Sequence, residues 1–262
     1  MAINPIRTVK VMRYILPLRE GGSLPALAEA DDNFKYVLKF SGAGQGPKML
    51  IAELLGGLIA KKIQLKIPEI VFADLDVDFG RTEADEEIQD LLKFSEGLNL
   101  GIHYLSGAIS YDPTLILDPF LASRIVWLDA FITNIDRTFK NTNLLWWQKE
   151  LWVIDNGAAF YFHYNWKDFD SASKNPFKYI KDHVLLSQAS HLQEADDDAH
   201  QTLDEGFFDE IVQEIPEEWL QWKDTEMTPK EIKRVYFEFL TSRLAHSHIF
   251  LNEALNAREQ TL

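Results

Sequence analysis

Three oxygen-bearing side chains stand close together in the segment NIDRTFKNTNLLWWQKELWVIDNGAAF, residues 134–160: Asp136, Asn141 and Asp155. Asp136 and Asn141 lie five positions apart in a polar stretch, and Asp155 ends an apolar run directly before Asn156-Gly157. A carboxylate among apolar runs is costly unless a partner or a cation takes up its charge. Hard divalent cations such as magnesium favour this kind of oxygen set, usually one or two carboxylates shared with substrate phosphates. A further carboxylate at the same edge can orient or deprotonate a hydroxyl. Phosphoryl transfer requires both parts, with a cation near the nucleotide phosphates.

The first hundred residues offer that cation. Lys39 sits in the alternating run FKYVLKF, and Glu53 sits in an apolar helical pattern after it. A strand lysine held by a helix glutamate can be kept against phosphates. Upstream, Gly22 and Ser23 of the GGS turn let backbone N–H groups approach a phosphate. The order is glycine turn, strand lysine, helix glutamate, Asp-x4-Asn loop, hairpin and aspartate. That is the logic of a two-lobed, protein-kinase-like phosphotransferase. Taken singly, each piece has a plain structural explanation. IDNG is good turn chemistry, Asp136 can cap a turn, and a strand lysine usually belongs to a solvated face.

The surrounding elements must position these residues. TVKVMRYI and FKYVLKF read as strands, with REGGSLPALAEADDN between them as a turn-rich connection. The glycine-rich SGAGQGPKML leads into a helix whose apolar residues recur from Leu50 to Ile59, with Pro47 in its first turn. IPEIVFADLD and LNLGIHYLSGA read as further strands. Asp118-Pro119 starts a helix over 118–134, and NLLWW with LWVID forms a hairpin. Thr228, Pro229 and Glu231 open a single long C-terminal helix through a capping box. The expected fold is α+β, with a strand-containing N-lobe over 1–97 and a mainly helical C-lobe over 98–262.

Composition narrows the function classes. With 41 acidic against 26 basic residues the net charge is −15, a surface that repels nucleic-acid backbones, so no direct nucleic-acid binding is expected. Cysteine is absent, which excludes a disulfide framework and thiolate chemistry. The N-terminal apolar patch is too short and interrupted for a signal peptide or membrane span, so a cytoplasmic protein without membrane contact is expected.

The runs YVLKF, GQGPKMLIAELLGGLIAKKIQLKIPEIVF, NIDRTFKNTN and LWVIDNGAAF resemble the HipA-like kinases, in particular a compact bacterial group, over about Gly21 to Phe160. The resemblance implies ATP and Mg2+ as cofactors. Lys39 becomes the phosphate-binding lysine and Glu53 its partner, Asp136 the catalytic aspartate, and Asn141 and Asp155 the magnesium ligands. The adenine hinge falls at Ile102, Tyr104 and Leu105, and the phosphates lie near Ser23 and Lys39. Thr138 stands where toxin-type members carry a histidine, and DNG replaces the DFG of protein kinases. The implied activity is transfer to a Ser or Thr hydroxyl of a protein. A small-molecule or lipid kinase and a catalytically inactive nucleotide-binding or interaction module stay open as alternatives. The resemblance leaves room for an antitoxin-like protein partner, on which the residues are silent.

Overall fold

The computed structural model describes residues 4–18, 24–77, 79, 85–165, 168–222 and 225–261. The elements in order are β1 (Thr8–Pro17), β2 (Ala26–Ala30), β3 (Lys35–Lys39), α1 (Gly46–Lys62), β4 (Ile70–Leu75), α2 (Glu86–Phe94), β5 (Gly97–His103) and β6 (Ile109–Ser110). There follow α3 (Pro119–Ile132), β7 (Leu144–Trp147), β8 (Glu150–Val153), α4 (Phe169–Ser173), α5 (Leu192–Thr202), α6 (Glu205–Gln213), α7 (Pro229–Ala245) and α8 (Ser247–Glu259). The fold is mixed α+β, as the sequence pattern implies.

The first five strands close into a barrel in the order β1-β2-β3-β5-β4, with β1 and β4 parallel and the other neighbours antiparallel. Closure leaves no strand edge unpaired. Its interior is filled by Val9, Ala28, Tyr36, Leu38, Phe40, Val71 and Ala73. The last barrel strand in sequence, β5, spans Gly97–His103. One expectation is corrected here. The stretch read as a turn-rich connection contains β2, whose ALAEA sequence is low in intrinsic strand preference and is held by pairing on both sides.

Helix α1 is buried almost all round, from Met49 to Ala60. It packs between the outer face of the barrel, at Ile70 of β4 and Leu100 and Ile102 of β5, and the larger core built by α3, β8 and the later helices. Asp118 caps α3 by accepting from the Leu121 N–H at 2.9 Å. At the other end of α3, Arg243 of α7 donates to the Ala130 and Phe131 carbonyls at 2.7 and 3.2 Å. These are orphan acceptors that a helix terminus must place somewhere. Burial pulls the Arg243 guanidinium down to about 9.

The hairpin β7–β8 turns through Gln148 and Lys149, both at positive φ, as a two-residue turn requires. The capping box at Thr228 and Glu231 opens α7 as expected. The tail is nonetheless two helices, because the chain leaves helical geometry at His246, whose Nδ1 meets the Ser242 carbonyl at 2.8 Å. Among the described residues, no helix is long and apolar enough to cross a membrane.

Candidate active site

Lys39 ends β3 with its side chain turned inward, only 6% exposed. Its ammonium donates to Glu53 Oε2 at 2.8 Å and to Asp155 Oδ1 at 2.7 Å. Glu53 Oε2 also accepts the Asn156 N–H at 2.7 Å, which ties α1 to the loop after β8. The approach is close because Gly56 of α1 has no side chain: a Cβ there would stand 2.7 Å from Cβ of Asn156. Asp155 adopts the left-handed region at φ 56°, uncommon outside glycine, which directs its carboxylate back to Lys39.

Burial pulls the Lys39 ammonium down, but Asp155 and Glu53 outweigh it and hold the lysine above its usual range. Burial pushes Glu53 up, and the attraction of Lys39 only partly offsets this. Burial also works against the Asp155 carboxylate, yet Lys39 holds it below the ordinary aspartate value. Two carboxylates therefore share one ammonium, an arrangement that favours a further cation.

The loop after α3 is built on a buried network that the sequence did not reveal. Asp129, in the last turn of α3, is fully buried. It accepts from Arg137 Nε at 2.6 Å and from Asn134 Nδ2 at 3.0 Å. His183 Nε2 stands 2.8 Å from Asp129 Oδ2, while its Nδ1 accepts the Leu185 N–H at 3.0 Å, so Nε2 carries the proton. Burial opposes the charged forms of Asp129 and His183. Arg137 nevertheless keeps the Asp129 carboxyl below its usual value, and His183 stays depressed.

Arg137 also donates to the carbonyl of Ile154 at 2.9 Å and to Asn156 Oδ1 at 3.0 Å, joining this loop to the one carrying Asp155. Asn134 Oδ1 accepts the Asp136 N–H at 3.2 Å. Asp136 Oδ2 accepts from Asn141 Nδ2 at 2.8 Å and from Asn143 Nδ2 at 3.3 Å. Thr138 pairs with His183 in an isolated bridge.

A cleft of about 700 Å³ collects Lys39, Glu53, Asp136, Asn141 and Asp155 with Ile102, Tyr104 and Leu105. Tyr104 N–H donates to the Lys35 carbonyl, whereas the Leu105 N–H has no hydrogen-bond partner among the described residues. Gly22 and Ser23 lie outside the described residues. Lys48, in the first turn of α1, stands over the Trp222 ring at 4.5 Å and the Tyr164 ring at 5.7 Å. Sequence reasoning passed over Asn143, Lys140, Asp129 and His183. Asp129 carried a signal, a carboxylate within the apolar run WLDAFI.

Among the described residues, no group of three or more His, Asp or Glu could hold a metal unaided. The Asn141–Asp155 set does fit a magnesium ion held jointly with phosphates. Asn141 uses its Nδ2 on Asp136, which leaves its amide oxygen uncommitted. Asp155 Oδ1 takes Lys39 and the Gly157 N–H, and no hydrogen bond from the described residues reaches Oδ2.

A family model described as HipA-like kinase matches residues 11–250. The match extends through α7 and into the first turn of α8, beyond the motif-bearing stretch that ended near Phe160. The crystal structure of a Helicobacter pylori proinflammatory kinase, CtkA, shares the fold with a TM-score of 0.58 at 12% identity, covering 98% of this chain and 99% of that chain. A search of the curated proteins finds no match.

Proposed function

The chain belongs to the HipA-like kinase family, and from that premise we propose that it is an ATP- and magnesium-dependent phosphotransferase acting on a Ser or Thr hydroxyl of a protein. The observation that carries the reading is the joining of Lys39 to both Glu53 and Asp155 in the cleft that also holds Asp136 and Asn141. In this reading the barrel and the helical part act as two lobes, with nucleotide between them. A cytoplasmic setting suits a chain with no cysteine.

Leu105 offers its free N–H to the adenine edge, and Ile102 and Tyr104 flank the base. Lys39, held by Glu53, turns its ammonium toward the phosphates. Asn141 and Asp155 present the two oxygens that would hold magnesium. A magnesium ion held by Asn141 and Asp155 would supply positive charge against the phosphates. Asp155 meets Lys39 through Oδ1, and its Oδ2 would be the oxygen offered to the cation.

Asp136 orients the acceptor hydroxyl and takes its proton. The bond from the γ-phosphorus to the β-phosphate oxygen breaks as the bond to the acceptor oxygen forms, and ADP leaves. Positioning and charge stabilisation supply most of such a rate enhancement. The test is transfer of label from γ-labelled ATP with magnesium, wild type beside Asp136→Ala. Labelled Ser or Thr made by wild type alone, with nucleotide binding kept in the variant, supports the reading. Equal labelling by both removes Asp136 from the reaction.

A further inference from the structure

Among the described residues, every lysine and arginine that lines or underlies the cleft is accounted for except one. Lys39 is held by two carboxylates. Arg137 lies buried beneath the loop, with its guanidinium spent on Asp129, Asn156 and backbone carbonyls. Lys140 is exposed and lines the cleft, and among the described residues its ammonium has no hydrogen bond or ion pair.

Its placement is built by the backbone. Thr138 N–H donates to the Asn141 carbonyl at 2.9 Å and Asn141 N–H donates to the Thr138 carbonyl at 3.2 Å. These reciprocal bonds close a two-residue turn with Phe139 and Lys140 at its tip. The turn is anchored from behind by the pairing of Thr138 with His183. Asn141, next in the chain, bonds Asp136 directly. Lys140 thus rides on a fixed turn between the candidate base and the candidate metal ligand.

We propose that Lys140 binds the γ-phosphoryl group and stabilises its charge during transfer, as a catalytic residue of the site proposed above, on which this assignment rests. The remaining charge balance calls for such a group. Glu53, Asp136 and Asp155 bring three carboxylates to the cleft against the single engaged ammonium of Lys39. A migrating phosphoryl group brings further negative charge to the edge where Asp136 stands, and a fixed cation there lowers the barrier. The ammonium keeps its proton throughout. The hydroxyl proton goes to Asp136, and ADP carries away the electron pair of the broken bond.

The assignment predicts an effect that depends on the third phosphate. Lys140→Met should bind Mg·ADP with wild-type affinity, bind Mg·ATP about 10-fold more weakly, and turn over about 10²-fold more slowly. Lys140→Arg should recover part of both losses. Calorimetric titrations with Mg·ADP and Mg·ATP, beside phosphate transfer at saturating ATP, read these quantities directly.

If Lys140→Met keeps wild-type turnover and the wild-type ratio of ATP to ADP affinity, the assignment is overturned. Equal loss of ADP and ATP binding overturns it too, since Lys140 would then shape the loop. If wild type binds neither nucleotide, the kinase reading falls and this assignment falls with it. Failure confined to the variants leaves the kinase reading standing.

Discussion

Two charge clusters lie within a few residues of each other and differ in one respect. Under the loop that carries Asp136 and Asn141, Asp129 and Arg137 are fully enclosed, with 0% of either side chain exposed, and His183 and Asn134 complete their hydrogen bonding. Beside the cleft, Lys39 has one buried carboxylate partner in Glu53 and a second in Asp155, which is 44% exposed. The enclosed cluster is balanced and has nothing left to exchange. The open one carries two acids for one base and presents the more accessible acid to the cleft. A closed network suits positioning, whereas an unbalanced, half-open one suits a ligand that must come and go. Substitutions in the two clusters should therefore fail in different ways.

The largest contrast concerns activity. With Asp155 as the proposed magnesium ligand, Asp155→Ala should lower phosphoryl transfer about 10³-fold or more. Its stability should stay within about 1 kcal/mol of wild type, because Lys39 keeps Glu53 and the lost side chain was half exposed. Transfer assays and denaturant melts on the same preparation check both halves. Asp129→Ala should behave in the opposite sense. It strands Arg137 without its carboxylate in a dry site and should cost about 3–5 kcal/mol. A variant that melts like wild type would show that the enclosed network is not needed for the fold.

Acidity sharpens the comparison further. His163 is buried, shares a hydrogen bond with the Tyr236 hydroxyl, and is depressed by that burial to about 3 from an ordinary 6.5. Between those values the unfolded chain binds a proton that the folded chain refuses, so stability falls as pH falls through this window. The slope from His163 is about 1.4 kcal/mol per pH unit, and His183 adds to it with the same sign. Melts from pH 7 to 5 should show the slope, and His163→Leu should reduce it. The smallest effect is expected at Lys48, whose contacts with Trp222 and Tyr164 brace the start of α1. Lys48→Met should cost about 1 kcal/mol, read by the same melts.

The open cluster was legible in the sequence and the closed one was not, for a physical reason. Lys39, Glu53, Asp136, Asn141 and Asp155 stand in local contexts that mark them: a strand, an apolar helix, a polar loop and a hairpin end. Asp129 shows only as an acid in an apolar run, and His183, its partner, lies 54 residues away with no local feature to link them. The contact between Lys39 and Asp155 spans 116 residues and was not anticipated, because the order of motifs pairs Lys39 with Glu53 alone.

Elsewhere, tertiary context overrode local preference. The alanine-rich β2 is a strand because the barrel pairs it, and apolar spacing that runs on through residues 229–259 hides the break at His246. Lys140 was hidden for another reason. An exposed lysine is ordinary until the turn that aims it is seen.

The most direct test of the open cluster is a calorimetric titration of ATP, with and without magnesium, into wild type and Asp155→Asn. The account predicts that magnesium tightens ATP binding markedly in wild type and that the variant loses this gain while still binding ATP. A wild-type chain that binds ATP equally well with and without magnesium, or a variant that keeps the full magnesium gain, would contradict it.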